Sequence, residues 1–214
     1  MRNKFDTQLL ELNNNLTMMG ALCENAISMA VKAFLNGEHN YADRAIEVDC
    51  EIDEKEKEIE QQCLRLLLQQ QPVAKDLRII SSALKMITDI ERIGDQASDI
   101  AELSKYTLVT DTQNYPHIKK MAEESVKMVT DSIDSFVKQD LELANYVIAY
   151  DDIVDDLFCK VKSDIIELIK TEHSNAEVII DILMIAKYLE RIADHSTNIA
   201  EWVVFSITGK HKEE

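Results

Sequence analysis

The chain has 214 residues, of which 46% are hydrophobic, and carries a formal net charge of −17. The apolar share can bury a sizeable core in one large or two small domains. The acidity disfavours nucleic-acid phosphates and anionic lipid and favours cations or basic protein surfaces as partners; with only 4 glycines and 2 prolines, an all-α chain is expected.

Six helical segments follow in order. The first spans about Phe5 to Leu35, with the stripe Leu9, Leu12, Leu16, Met19, Cys23, Ala26, Ala30 and Ala33 and with Gly37 behind it as a stop. The second runs from about Asn40 to Gln70, and the third begins near Val73 and fades near Tyr106. A polar connector, Thr110-Asp111-Thr112-Gln113-Asn114, precedes Pro116. The fourth covers about His117 to Val137, the fifth Leu141 to Lys170, and the sixth Asn175 to Ile207, with Gly209 behind it. Pro72 and Pro116 both fall between periodic segments, where helices break. Helices of thirty residues are ~45 Å long and, packed antiparallel through short loops, give elongated bundles. No run approaches the ~18 apolar residues of a membrane span, and the start, Met1-Arg2-Asn3-Lys4-Phe5-Asp6, is no signal peptide. A cytoplasmic location is expected. Cys23, Cys50, Cys63 and Cys159 form no Cys-x-x-Cys pair and read as reduced, inert thiols.

The sequence repeats internally. Shifted by 102 residues, Phe34 falls on Phe136, Ala42 on Ala144, Asp49 on Asp151 and Asp53 on Asp155. Shifted by 99, Leu84 falls on Leu183, Glu91 on Glu190, Asp95 on Asp194 and Asp99 on Asn198. The chain is therefore expected to fold as two tandem three-helix bundles, residues 1–110 and 111–214.

Within that frame, Asp89-Ile90-Glu91-Arg92-Ile93-Gly94-Asp95 and Tyr188-Leu189-Glu190-Arg191-Ile192-Ala193-Asp194 each stack two carboxylates four residues apart on one helix face. Traced back in steps of four and three, Glu91 continues the stripe Val73, Leu77, Ile80, Leu84, Ile87, and Glu190 the stripe Ala176, Ile179, Leu183, Ala186. Each glutamate thus stands where a bundle seam calls for an aliphatic residue. Asp49 and Asp151 interrupt the seams of the second and fifth helices, with Asp53 and Asp155 four residues on. A desolvated, unpaired ion costs several kcal/mol, by order of magnitude. Helical neighbours offer Arg92 to Asp95, Arg191 to Asp194 and Lys187 to Glu190, but no base to Glu91, Asp49 or Asp151. A shared cation resolves this. Carboxylates without paired histidines suit hard, oxygen-preferring ions such as magnesium, manganese, calcium or iron. A ferritin-like di-iron site needs histidine three residues after the glutamate, where Gly94 and Ala193 stand; His195 reads as solvated or paired. No Gly-rich phosphate loop and no nucleophile motif is present, so the chain is not expected to be an enzyme.

These residues, with Leu77-Arg78-Ile79-Ile80, Gln71-Pro72-Val73-Ala74 and Asn198-Ile199-Ala200-Glu201-Trp202-Val203, resemble the PhoU family of phosphate-signalling regulators over nearly the whole chain. The resemblance implies two three-helix bundles with metal sites at the Glu/Asp-x-x-x-Asp motifs. The motif carries over directly onto Glu91, Asp95, Glu190 and Asp194; Asp49, Asp53, Asp151 and Asp155 follow from pattern and repeat, with Asp99 and Asn198 as outer candidates. The cation expected is divalent metal or iron (magnesium, manganese, zinc or iron). The resemblance further implies a negative regulator of the phosphate-starvation response, coupling the ATPase subunit of a phosphate ABC transporter to a sensor histidine kinase at the inner face of the membrane. A homodimer is expected. The alternative is a metal-storage or metal-dependent carboxylate protein on a helical-bundle scaffold.

Overall fold

The computed structural model describes residues 2–70, 72–107, 116–171 and 176–210. They form six α-helices: α1 (Arg2–Asn36), α2 (His39–Gln70), α3 (Ala74–Ser104), α4 (Pro116–Lys138), α5 (Leu141–Thr171) and α6 (Ala176–Thr208). Local chemistry explains the ends. Gly37 and Gly209 adopt φ of 67° and 74°, the left-handed conformation that glycine enters without steric cost, and their N–H groups close the last turns on Ala33 and Phe205 carbonyls at 2.9 and 2.8 Å. Pro116 opens α4, where a missing N–H costs nothing. Asp140 caps α5, its Oδ1 accepting from the Leu143 N–H at 3.0 Å. The connector 110–114 and the expected boundary between residues 110 and 111 lie outside the described residues.

α1, α2 and α3 pack as one three-helix unit, and α4, α5 and α6 as the other. The units meet along α3–α6 and α1–α4, so these four helices form the centre and α2 and α5 flank it. Both central contacts are antiparallel. Along α3, Arg78, Asp89 and Gln96 meet Ser206, Asn198 and Arg191 in turn. Along α1, Gly20 faces Ile133 and Glu24 accepts a 2.7 Å hydrogen bond from the Thr130 hydroxyl. The central helices thus run around a pseudo-two-fold axis that exchanges the two repeats.

The α1 stripe from Leu12 to Ala33 is buried as expected, with Leu9 half-buried. The α3 and α6 stripes drift off the core. Val73, Leu77 and Leu183 are exposed, and the inward face of α3 carries Ile90, Ile93 and Gly94 rather than Glu91. An 18-residue window of α1 reaches a mean hydropathy of 1.2, so by length and composition alone this helix could cross a membrane. Here 56% of that window is buried, in a helix that packs on α2, α3 and α4 as a core helix. All four cysteines are free, Cys23 and Cys63 buried, Cys50 and Cys159 exposed. Burial pushes both buried thiols up, Cys63 to about 12, which keeps them un-ionised.

Candidate cation site in each helical repeat

In the first repeat, α2 and α3 bring Asp49, Asp53, Glu91 and Asp95 into one groove along the rim of the apolar seam. Asp49, Asp53 and Glu91 are half-buried and Asp95 is exposed, so none of them sits in the core as the stripe reading expects. Their mutual repulsion is only partly relieved, by the Ser98 hydroxyl, Arg92 and His195. Burial and then Asp95 push Asp49 up to about 6, against only a partial offset from the Ser98 hydroxyl. Burial, Asp95, Glu56 and Asp53 push Glu91 up to about 7, opposed by Arg92 alone. Asp95 is raised by burial and Asp53. Asp99 is raised by burial, Glu102 and Asp95, with Tyr188 and Arg191 pulling the other way. Asp49 Oδ1 is buried and accepts no hydrogen bond. Gly94 makes this approach possible: a Cβ there would lie 2.9 Å from Asp49 Oδ1 and 2.9 Å from Ile52 Cδ1.

The second repeat places Asp151, Asp155, Glu190 and Asp194 in the equivalent groove between α5 and α6. Asp151 and Glu190 are half-buried, Asp155 and Asp194 exposed. Burial, Asp194 and Asp155 push Asp151 up to about 6, with Thr197 opposing; Asp194 is raised by burial and Glu190, with Lys187 and His195 opposing. The expected Lys187–Glu190 ion pair is formed. The expected Arg191–Asp194 pair is not: Arg191 reaches Gln96 Oε1 at 3.5 Å instead.

The PhoU domain family matches residues 16–104 and 118–203, one match per three-helix unit. The chain belongs to this family. It is 35% identical over 213 residues to a phosphate-specific transport system accessory protein PhoU homolog of Clostridium acetobutylicum, covering 98% of this chain and 96% of that protein. It is 31% identical to the homolog of Pseudomonas aeruginosa, covering 96% and 86%. Two solved structures share the fold: PhoU from Pseudomonas aeruginosa, with a TM-score of 0.87, 30% identity and coverage of 96% of this chain and 100% of that one; and the phosphate transport system regulatory protein PhoU from Streptococcus pneumoniae, with a TM-score of 0.89, 28% identity and coverage of 98% and 100%.

The PhoU repeats fit a hard cation by donor chemistry, carboxylate oxygens of which one is orphaned and buried. They do not present a finished shell: among the described residues no three His, Cys, Asp or Glu side chains converge closely enough to enclose an ion. Asn198 has a different task from its repeat mate Asp99. Its Nδ2 donates to Asp89 Oδ1 at 3.2 Å, beside His195 Nδ1 at 2.9 Å, clasping the two PhoU units. Sequence reasoning gave no role to Asp89, only 8% exposed, because its partners lie more than a hundred residues away. It also passed over Glu56, which stands in the α2 stripe Ala45, Asp49, Ile52, Glu56, Ile59, Cys63 and Leu66. The available signal was the repeat, since Glu56 aligns with Phe158.

Proposed function

We propose that this chain is a negative regulator of the phosphate-starvation response, a non-catalytic cytoplasmic homodimer that couples the ATPase subunit of a phosphate ABC transporter to its sensor histidine kinase. The observation that carries this reading is the end-to-end match to accessory proteins of phosphate-specific transport. In the same reading a divalent metal or iron is held by Asp49, Asp53, Glu91 and Asp95 in the first repeat, with Asp99 at its edge, and by Asp151, Asp155, Glu190 and Asp194 in the second. What the ion supplies is positive charge shared among oxygens that otherwise repel. The side chains link α2 to α3, and α5 to α6, through it.

Partners meet the outer faces. Between α1 and α2, Met18, Ala21 and Leu22 floor a groove of about 610 Å³ rimmed by Glu51, Glu54 and Glu58, with Lys55 the one base lining it. This combination suits a basic, amphipathic partner segment. Deleting the gene is expected to switch on phosphate-starvation promoters in phosphate-replete cells. Purified protein is expected to capture the transporter ATPase subunit and the kinase at low salt and to release them as salt screens the contact. Glu54→Lys with Glu58→Lys weakens capture and leaves metal content unchanged. Normal repression in the deletion strain, with neither partner captured at low salt, overturns the regulator reading and leaves metal storage or carboxylate chemistry in its place.

A further inference from the structure

The two grooves are built on the same backbone plan and differ at several equivalent positions, Gly94 against Ala193 and Asp99 against Asn198 among them, and three of the differences act together. Where the first has Glu56, Glu60 and Thr88, the second has Phe158, Lys162 and Lys187. These are not scattered changes. The Lys162 and Lys187 ammonium groups lie 4.7 and 5.6 Å from the Phe158 ring centre, close enough for its negative face to hold them, and Lys187 forms the ion pair with Glu190. An acid in the first repeat has become an aromatic platform in the second, and two lysines have arrived on it. In the first groove the basic groups felt by these acids are Arg92, whose repeat mate Arg191 is retained, exposed Lys57 beside Glu56, and His195 of α6, which acts on Asp95 while bonded to Asp89. Among the described residues none of the three closes an ion pair with these acids, and Asp49 Oδ1 stays buried without a partner.

We propose that Lys187 is a tethered counter-cation that occupies the second groove in place of a metal ion, so that the first groove is the tight metal site of this chain. The inference rests on the proposed cation-binding role and adds which repeat exercises it. An ammonium delivers one charge through directed N–H donors and, being part of the chain, is present at all ion concentrations. A divalent ion entering the second groove has to displace Lys187 from Glu190 and meets two lysines on the way. In the first groove it meets no tethered competitor and gains the additional acid Glu56. Thr88 is the position that decides the matter in reverse, since a lysine there falls where Lys187 falls on α6.

The test is titration of chelator-stripped protein with Mn²⁺, read by calorimetry for stoichiometry and by paramagnetic broadening of NMR signals for location. Ile52 reports on the first groove and its repeat mate Val154 on the second. The wild type is expected to broaden at Ile52 first, with the second groove filling at concentrations about tenfold higher or more. Lys187→Thr is expected to bring the Val154 response to within a few-fold of the Ile52 response, and Thr88→Lys to abolish the early Ile52 response. Lys187→Gln, which keeps length and hydrogen bonding, serves as a second variant should the threonine lower stability. Equal filling of both grooves in the wild type, or an unmoved Val154 response in both Lys187 variants, overturns the proposal alone. No Mn²⁺ uptake by any of the proteins overturns the cation-binding reading itself.

Discussion

Two carboxylates in this PhoU protein show that burial alone does not set the state of an acid. Glu124 on α4 is only 8% exposed, yet its carboxyl is held below the usual range, because Lys120 at 2.5 Å and the Tyr150 hydroxyl at 2.7 Å both serve it. Glu91 on α3 is half-buried and is pushed up to about 7, because its burial is compounded by Asp95 one turn along the same helix and by Glu56 and Asp53 across the groove on α2, with only Arg92 opposing. The α4–α5 contact is a finished salt-bridge network. The α2–α3 groove is an unfinished one. A structural ion pair carries its own counter-charge, and a groove that does not is open to a proton or a cation.

The sharpest way to break this contrast is to remove each acid. Glu124→Ala leaves the Lys120 ammonium and the Tyr150 hydroxyl without their acceptor and is expected to destabilise by about 2–3 kcal/mol in urea titration, discounted from fully buried pairs because Lys120 is largely exposed. Glu91→Gln in metal-free protein at neutral pH is expected to be neutral or stabilising by up to ~1 kcal/mol, since it deletes a repelled charge. Comparable losses for both would mean that Glu91 is as well partnered as Glu124.

The pH dependence comes next in size and separates the two by sign. The folded pKa of Glu91 lies above its unfolded value, so between 4.5 and about 7 the native state binds more protons than the unfolded state. Its contribution to stability is therefore lost as pH rises through that window. Asp49 and Asp151 act in the same direction between 3.8 and about 6. Glu124, with its pKa lowered, contributes stability above its unfolded value of 4.5 that is lost as pH falls through the folded pKa. Melting temperature followed against pH is expected to decline from pH 5 to 7 in metal-free wild type and to decline less in Glu91→Gln. An identical slope in the two proteins contradicts the assignment.

Gly94→Ala should have the smallest effect on stability and a disproportionate one on the groove. A helical alanine gains ~1 kcal/mol over glycine, against a Cβ that would press on Asp49 Oδ1 and Ile52 Cδ1, both at 2.9 Å and both ends of side chains able to turn away. The melting temperature is expected to change by only ~2 °C in either direction, while metal affinity falls as Asp49 rotates. Unchanged affinity would mean that Asp49 is not a ligand.

The helices were legible because their stops are local: Gly37, Pro72, Pro116 and Gly209 each act through their own backbone. The acidic pairs were legible because four-residue spacing is a property of one helix. The exact inward face was not. From Val73 to Glu91 the stripe covers 18 residues in five steps, one 3.6-residue turn per step, so it follows a single face; that face is the rim, with Leu77 exposed and Glu91 half-buried, while Ile90 and Ile93 hold the buried centre. The clasp of Asp89 with His195 and Asn198 was hidden for a different reason, being fixed only when α3 and α6 pack antiparallel. Phe158 and Lys187 were visible as letters, but their joint meaning required the groove.

The most direct measurement of the central claim is a ¹³C NMR titration of the Glu91 carboxyl in metal-free protein, repeated with saturating Mg²⁺. The account predicts a midpoint near pH 7 without metal, driven below the ordinary glutamate value of ~4.3 once the ion is bound. An ordinary midpoint in both samples would show that Glu91 is solvated and uncoupled, and that the groove is an acidic surface with no cation to hold.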